Sequence, residues 1–187
     1  MPAITTNDLK NGITLELDNN LFQVVEFQHV KPGKGGAFVR TKLRNLKTGN
    51  VFDRTFNAGI RVEQAILERT DMQFLYRDGD DYVFMDTESY DQRHVPPVAL
   101  GEAADYLVKS MMAQIAIYQG EIVSVEIPAS VELTVSDTEP GIQGDRVSGA
   151  RKPATLETGK VVQVPLFVNI GDRIKVDTRS GEYMTRV

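Results

Sequence analysis

Short runs of alternating apolar and polar residues, broken by turn residues about every ten positions, fill most of the chain. That pattern predicts small all-β barrels or sandwiches. Residues 13–17 (ITLEL) alternate, Asp18-Asn19-Asn20 turns, and residues 21–29 return, which reads as a hairpin with an Asp/Asn turn. Val30 then leads into Lys31-Pro32-Gly33-Lys34-Gly35-Gly36, and residues 37–45 set Phe38, Val39, Thr41 and Leu43 among basic residues, so a second hairpin brackets Lys34. Alternation along that return strand places Arg40, Lys42 and Arg44 on one face and Val39, Thr41 and Leu43 on the other. Lys47 to Asn50 turns again, residues 51–56 form a strand, and a polar stretch to about Val62 reads as a linker, with a first domain boundary near residue 64.

The middle of the chain opens with residues 65–76, strand-like in their latter part; Asp78-Gly79 marks a hairpin turn and residues 81–85 return. Residues 100–112 (LGEAADYLVKSMM) carry apolar side chains at Leu100, Ala103, Leu107, Val108 and Met111, a spacing that predicts one amphipathic helix. A further hairpin, residues 115–118 and 122–125 about Gln119-Gly120, precedes Pro128 and a second boundary after residue 127. The last part predicts strands at 131–135, 161–168 and 173–176. Residues 141–158, rich in Gly, Pro and charge, read as a long loop and therefore as a second candidate site. The expected organisation is three modules, 1–64, 65–127 and 128–187.

Charge divides along the same lines. Residues 1–64 hold 9 basic and 6 acidic side chains, residues 65–127 hold 4 and 12, and residues 128–187 hold 8 and 8. The net charge of −5 thus conceals a cationic first module. Between Phe27 and Phe52 stand Lys31, Lys34, Arg40, Lys42, Arg44 and Lys47 with no Asp or Glu. A local positive field in an acidic protein points to a polyanionic partner. The chain has no cysteine, which excludes disulfides, thiolate nucleophiles and cysteine-ligated metals. It has neither a signal-peptide pattern at its start nor an apolar run approaching the ~18 residues of a membrane span, so a cytoplasmic location without membrane contact is expected.

Enzymatic chemistry finds little support. His29 and His94 share no metal-ligand spacing, Asp78, Asp80 and Asp81 lack the grammar of a calcium loop, and no nucleophile elbow or Walker motif occurs. Lys31 to Gly36 resembles a phosphate loop in composition only, because it leads into a strand rather than a helix. Lys34 is different: Gly33, Gly35 and Gly36 remove side chains around it so that it can enter a narrow cleft, Pro32 stiffens the approach, and the flanking strands carry charges suited to phosphates.

Two motifs carry a resemblance over the whole length. KPGKGGAF around Lys34, and residues 152–171 (KPATLETGKVVQVPLFVNIG) with the closing residues 174–187, are similar to the tip hairpin and C-terminal signature of the bacterial elongation factor P family. That resemblance implies an all-β, L-shaped, tRNA-like molecule: an N-terminal KOW-type barrel followed by two OB-fold barrels, acting as a monomer without a metal or other cofactor. It implies a non-enzymatic factor that binds both ribosomal subunits between the P and exit sites and stimulates peptide bond formation at consecutive prolines. Lys34 then reaches the peptidyl-transferase centre beside P-site peptidyl-tRNA, and is the residue that lysine-modifying enzymes extend in several lineages. Lys31, Pro32, Gly33, Gly35 and Gly36 form its tip loop, and Arg40, Lys42 and Arg44 contact tRNA or rRNA. Gly144, Asp145 and Arg146 match a loop facing the small subunit and the exit-site mRNA, with Arg146 where many relatives have threonine. Two other readings stay open: an elongation-factor-P-like paralogue serving different stalling sequences, and a general single-stranded RNA-binding OB-fold protein.

Overall fold

The structure, a computed structural model, describes residues 2–141 and 149–187. Sixteen strands are formed among them: β1 (Ala3–Thr5), β2 (Thr14–Leu17), β3 (Asn20–Val30), β4 (Phe38–Asn45), β5 (Val51–Asn57), β6 (Arg61–Gln64), β7 (Glu68–Asp78), β8 (Asp81–Asp86), β9 (Gln92–Val95), β10 (Met112–Tyr118), β11 (Glu121–Glu126), β12 (Ser130–Thr138), β13 (Arg151–Leu156), β14 (Val161–Pro165), β15 (Arg173–Asp177) and β16 (Tyr183–Arg186). One helical turn, α1 (Pro97–Leu100), and short 3₁₀ segments complete them. The strands make three sheets, in the orders β1-β6-β2-β3-β4-β5, β11-β10-β7-β8-β9 and β14-β13-β12-β15-β16. The all-β expectation is met. By contacts the chain divides into two compact units: residues 1–70, 95–101 and 115–125 form one, and residues 71–94, 102–114 and 126–187 the other.

The first sheet follows from local chemistry. Asp18 and Asn19 take φ of 52° and 62°, the left-handed pair that a two-residue hairpin requires, and they join β2 to β3 at Leu17 opposite Asn20. Along β4, Val39, Thr41 and Leu43 are buried while Arg40, Lys42 and Arg44 are exposed, as the alternation predicts. The Thr41 hydroxyl sits in this apolar layer because it donates to the Arg54 carbonyl at 2.6 Å. Leu9, Leu15, Phe22, Val24, Val39, Leu43, Phe56 and Val62 form one core cluster.

Val62 corrects the linker reading. β6 runs through that stretch and hydrogen-bonds to both β1 and β2, and the apolar Val62 between Arg61 and Glu63 is the inward position of a four-residue strand too short to show periodicity.

Residues 100–112 do not form the expected helix. α1 ends at Leu100, a 3₁₀ segment covers Gly101–Tyr106, and β10 starts at Met112. Gly101 takes φ 53° and ψ −130°, which ends the helix, and Ser110 takes φ 72°. The backbone then serves the sheet: Phe74 N donates to Met111 O and Ser110 N to Phe74 O, both at 2.8 Å. Tyr106, within that stretch, packs with Val131, Leu133, Val164 and Ile174 in the second unit's core.

The long-loop reading of residues 141–158 is likewise corrected, because β13 occupies 151–156 and lies between β12 and β14. Pro153 stands opposite Gln163 within that strand. Proline cannot donate to a ladder, so its presence in a central strand hid β13 from sequence reading. The Pro153 carbonyl still accepts from Thr138 Oγ1 at 2.9 Å, and Lys152, 6 % exposed, directs Nζ to the Glu139 carbonyl. β14 stops at Pro165 rather than Val168, although Val168 remains fully buried beyond it.

The inward and outward rows of β4 should respond oppositely to truncation. Leu43→Ala is expected to lose about 2–5 kcal/mol of unfolding free energy, whereas Arg44→Gln one position along should stay within about 0.5 kcal/mol; urea denaturation of both variants checks the assignment.

Candidate functional site

The β3–β4 hairpin presents Lys34. Val30 and Phe38 are its last paired positions, so Lys34 is the central residue of the intervening loop. Lys31 to Gly36 are all exposed. At a strand rise of about 3.4 Å per residue, Lys34 can stand at most roughly 14 Å beyond that last pair.

The three glycines are not equivalent. Gly35 has φ +104°, a conformation side chains avoid, whereas Gly33 and Gly36 have no such requirement. A Cβ at any of the three would meet nothing within 4 Å, so packing within the chain does not call for glycine at 33 or 36.

Below the tip, the register of β4 with β3 and β5 fixes the charge pattern. A bulge between Val24 and Glu26 leaves Val25 without a partner, which brings Glu26 opposite Lys42 and Phe27 opposite Thr41. The Lys42 ammonium lies 3.4 Å from the Glu26 carboxylate, and Asp53 on β5 is its partner on the other side. Arg40 instead stands between Gln28 and Thr55, and Arg44 between Gln23 and Val51. The Arg40 guanidinium lies over the Phe38 ring at 6.0 Å. The unbroken basic run of the sequence is therefore interrupted in space by two carboxylates that lie just outside it.

His29 is exposed and meets Phe27 edge-on, with ring centroids 5.6 Å apart. His94 Nδ1 lies 3.8 Å from Asp78 Oδ2. No group of His, Asp and Glu suited to a metal ion occurs among the described residues. The predicted Gly144, Asp145 and Arg146 lie outside the described residues. Gly141, just before them, is held close to the Leu166 backbone, where an added Cβ would come within 2.4 Å of the carbonyl oxygen. Among the described residues, no helix is long and apolar enough to cross a membrane.

Sequence reading missed a crevice of about 500 Å³ in the first unit, lined by Glu16, Asn19, Leu46, Val98, Tyr118 and Ile122 among others. Tyr118 donates its hydroxyl to Glu16 at 3.1 Å. Burial pushes the phenol up from its ordinary pKa, and the bond to Glu16 adds to the rise. The link joins residues 102 positions apart, and no local pattern announces it.

Family profiles match three consecutive stretches: an elongation factor P KOW-like domain at residues 5–62, an elongation factor P OB domain at 67–125 and an elongation factor P C-terminal domain at 131–186. The chain is similar to proteins named elongation factor P from Acidothermus cellulolyticus, 59 % identical over 97 % of both chains, and from Parafrankia sp., 61 % identical over 98 % of both. Among solved structures, a eukaryotic translation initiation factor 5A from Methanococcus jannaschii aligns with a TM-score of 0.53 at 24 % identity. That match covers 66 % of this chain and 93 % of that one, and it bears on the fold alone.

Gly35→Ala should cost about 1 kcal/mol through its left-handed φ, and Gly36→Ala should fall within about 0.5 kcal/mol of the parent; equal losses in urea titrations would remove the distinction. For Tyr118 the neutral phenol is favoured by folding, so its contribution is complete below about pH 10, where unfolded tyrosine ionises, and disappears as pH rises through the higher folded value. Phenolate absorbance should show one tyrosine titrating late, and Glu16→Gln should move that midpoint down.

Proposed function

The chain belongs to the elongation factor P family of translation elongation factors, and from that premise we propose that it binds the ribosome between the P and exit sites and stimulates peptide bond formation at consecutive prolines. Lys34 is the group that reaches the peptidyl-transferase centre. The observation that carries this reading is the tip itself: a lysine at the apex of a paired hairpin, with glycines at 33 and 36 that neither φ nor internal packing demands. Glycines at 33 and 36 leave the tip narrow enough to enter a confined cleft.

The mechanism is positioning. Proline is a constrained secondary amine that reacts slowly, and a factor that holds peptidyl-tRNA in a reactive geometry lowers the barrier without supplying an acid or a base. The arrangement suits that role, because the tip offers an exposed ammonium group on a paired hairpin. The exposed Arg40 and Arg44 of β4 give the hairpin a hold on RNA phosphates, with affinity that falls as salt rises. The exposed Lys34 Nζ is also open to extension by a lysine-modifying enzyme, and the intact mass of protein purified from its own cells reads that directly.

Replacing Lys34 with alanine should leave the unfolding midpoint unchanged, since residue 34 is exposed. In a reconstituted translation system the same variant should lose rescue of a polyproline reporter while proline-free reporters translate normally. Full rescue by Lys34→Ala would overturn the proposal.

A further inference from the structure

We infer that the exposed face of β4 holds RNA at two separated points, Arg40 and Arg44, and that Glu26, in contact with Lys42, and Asp53, its register partner on β5, offset the Lys42 charge as internal counter-charges that keep the face selective. This rests on the ribosomal reading above and deepens it. The sequence shows three cations in alternate positions, but the sheet register inserts two carboxylates at the middle one.

Magnitudes decide what each carboxylate does. Directly opposed residues in an antiparallel sheet lie about 4.5–5.5 Å apart and diagonal ones about 7–8 Å. With a Debye length of about 8 Å at physiological salt, Glu26 and Asp53 act about twice as strongly on the directly opposed Lys42 as on Arg40 and Arg44 along the diagonals. The 3.4 Å Lys42–Glu26 contact is exposed and adds little to stability. Its effect is on the field: the three cations and two carboxylates leave a single net positive charge on this strip.

Arg40 and Arg44 remain as cations flanked by neutral partners, and among the described residues neither belongs to an ion pair with Asp or Glu within 4 Å. Four residues apart at about 3.4 Å each, they stand roughly 14 Å from one another. That exceeds the Debye length, so they act as two independent phosphate contacts. Phe38 beneath the Arg40 guanidinium limits its orientations, which favours one bonding geometry over diffuse attraction. A face built this way binds an RNA whose phosphates meet both arginines and gains little from any other polyanion. A continuous row of three free cations would attract RNA indiscriminately.

The test is equilibrium binding of the full chain to deacylated tRNA over a series of potassium chloride concentrations. Each phosphate contact contributes about 0.7–0.9 to the slope of log affinity against log salt. Arg40→Gln and Arg44→Gln should each flatten that slope by about one contact. The paired deletion Glu26→Gln with Lys42→Gln should leave it unchanged, whereas Glu26→Gln with Asp53→Asn frees Lys42 and should steepen it by about one contact. The same carboxylate-free variant should bind poly(U) several-fold more tightly than the parent. A paired deletion that flattens the slope as much as Arg40→Gln, arginine variants without effect, or a parent chain whose tRNA binding does not depend on salt would each overturn the inference. These slopes are read on free RNA, so failure of the ribosomal role in the Lys34→Ala assay remains distinguishable from failure here.

Discussion

The pairing of β3 with β4 is the constraint on which the rest of the account depends. One register decides that Val39, Thr41 and Leu43 enter the core, that Arg40, Lys42 and Arg44 leave it, and that Lys34 stands at the apex. A slip of one residue would exchange the two rows, burying the three cations and exposing the core-forming side chains. The burial of Val39 and Leu43 and the Thr41–Arg54 hydrogen bond resist that slip. The apolar side of the strand therefore specifies the position of the polar side, and fold and site are set by one set of contacts.

The Val25 bulge shows how much turns on local register. Without it, Glu26 would fall opposite Thr41 and face the core, where an unpaired carboxylate is costly. With it, Glu26 faces outward and reaches Lys42, while Phe27 covers the inner face. A single extra residue thus relieves a packing conflict and sets the electrostatics of the candidate RNA face.

Legibility in the sequence followed the range of the physics. The turns at Asp18-Asn19 and Gln119-Gly120 were readable because positive φ is a local preference of Asp, Asn and Gly, and the structure gives both members of each pair φ between 51° and 81°, Gln119 accompanying Gly120 into the turn. The outward row of β4 was readable because side chains alternate in any strand. Lys34 as a hairpin apex was readable from both. The region around 100–112 was not, because its helical spacing loses to a sheet hydrogen bond from Phe74 and to the demands of Gly101 and Ser110. β13 was hidden by Pro153, and β6 by its brevity. The placing of two carboxylates beside Lys42 lies further out of reach, since Glu26 and Asp53 sit 16 and 11 residues from it and only the three-strand register brings them together. The Tyr118–Glu16 bond has the same non-local origin.

The proposed role requires one placement: the apex of this hairpin would have to meet the reacting end of peptidyl-tRNA. A photo-activated crosslinking amino acid substituted at position 34 measures it directly, on ribosomes stalled at a proline run with peptidyl-tRNA bound. The account predicts crosslinks to the 3′ end of that tRNA and to rRNA of the peptidyl-transferase centre. Crosslinks confined to the ribosomal periphery, or none above those of the same amino acid placed at the exposed turn residue Asp80, would contradict it.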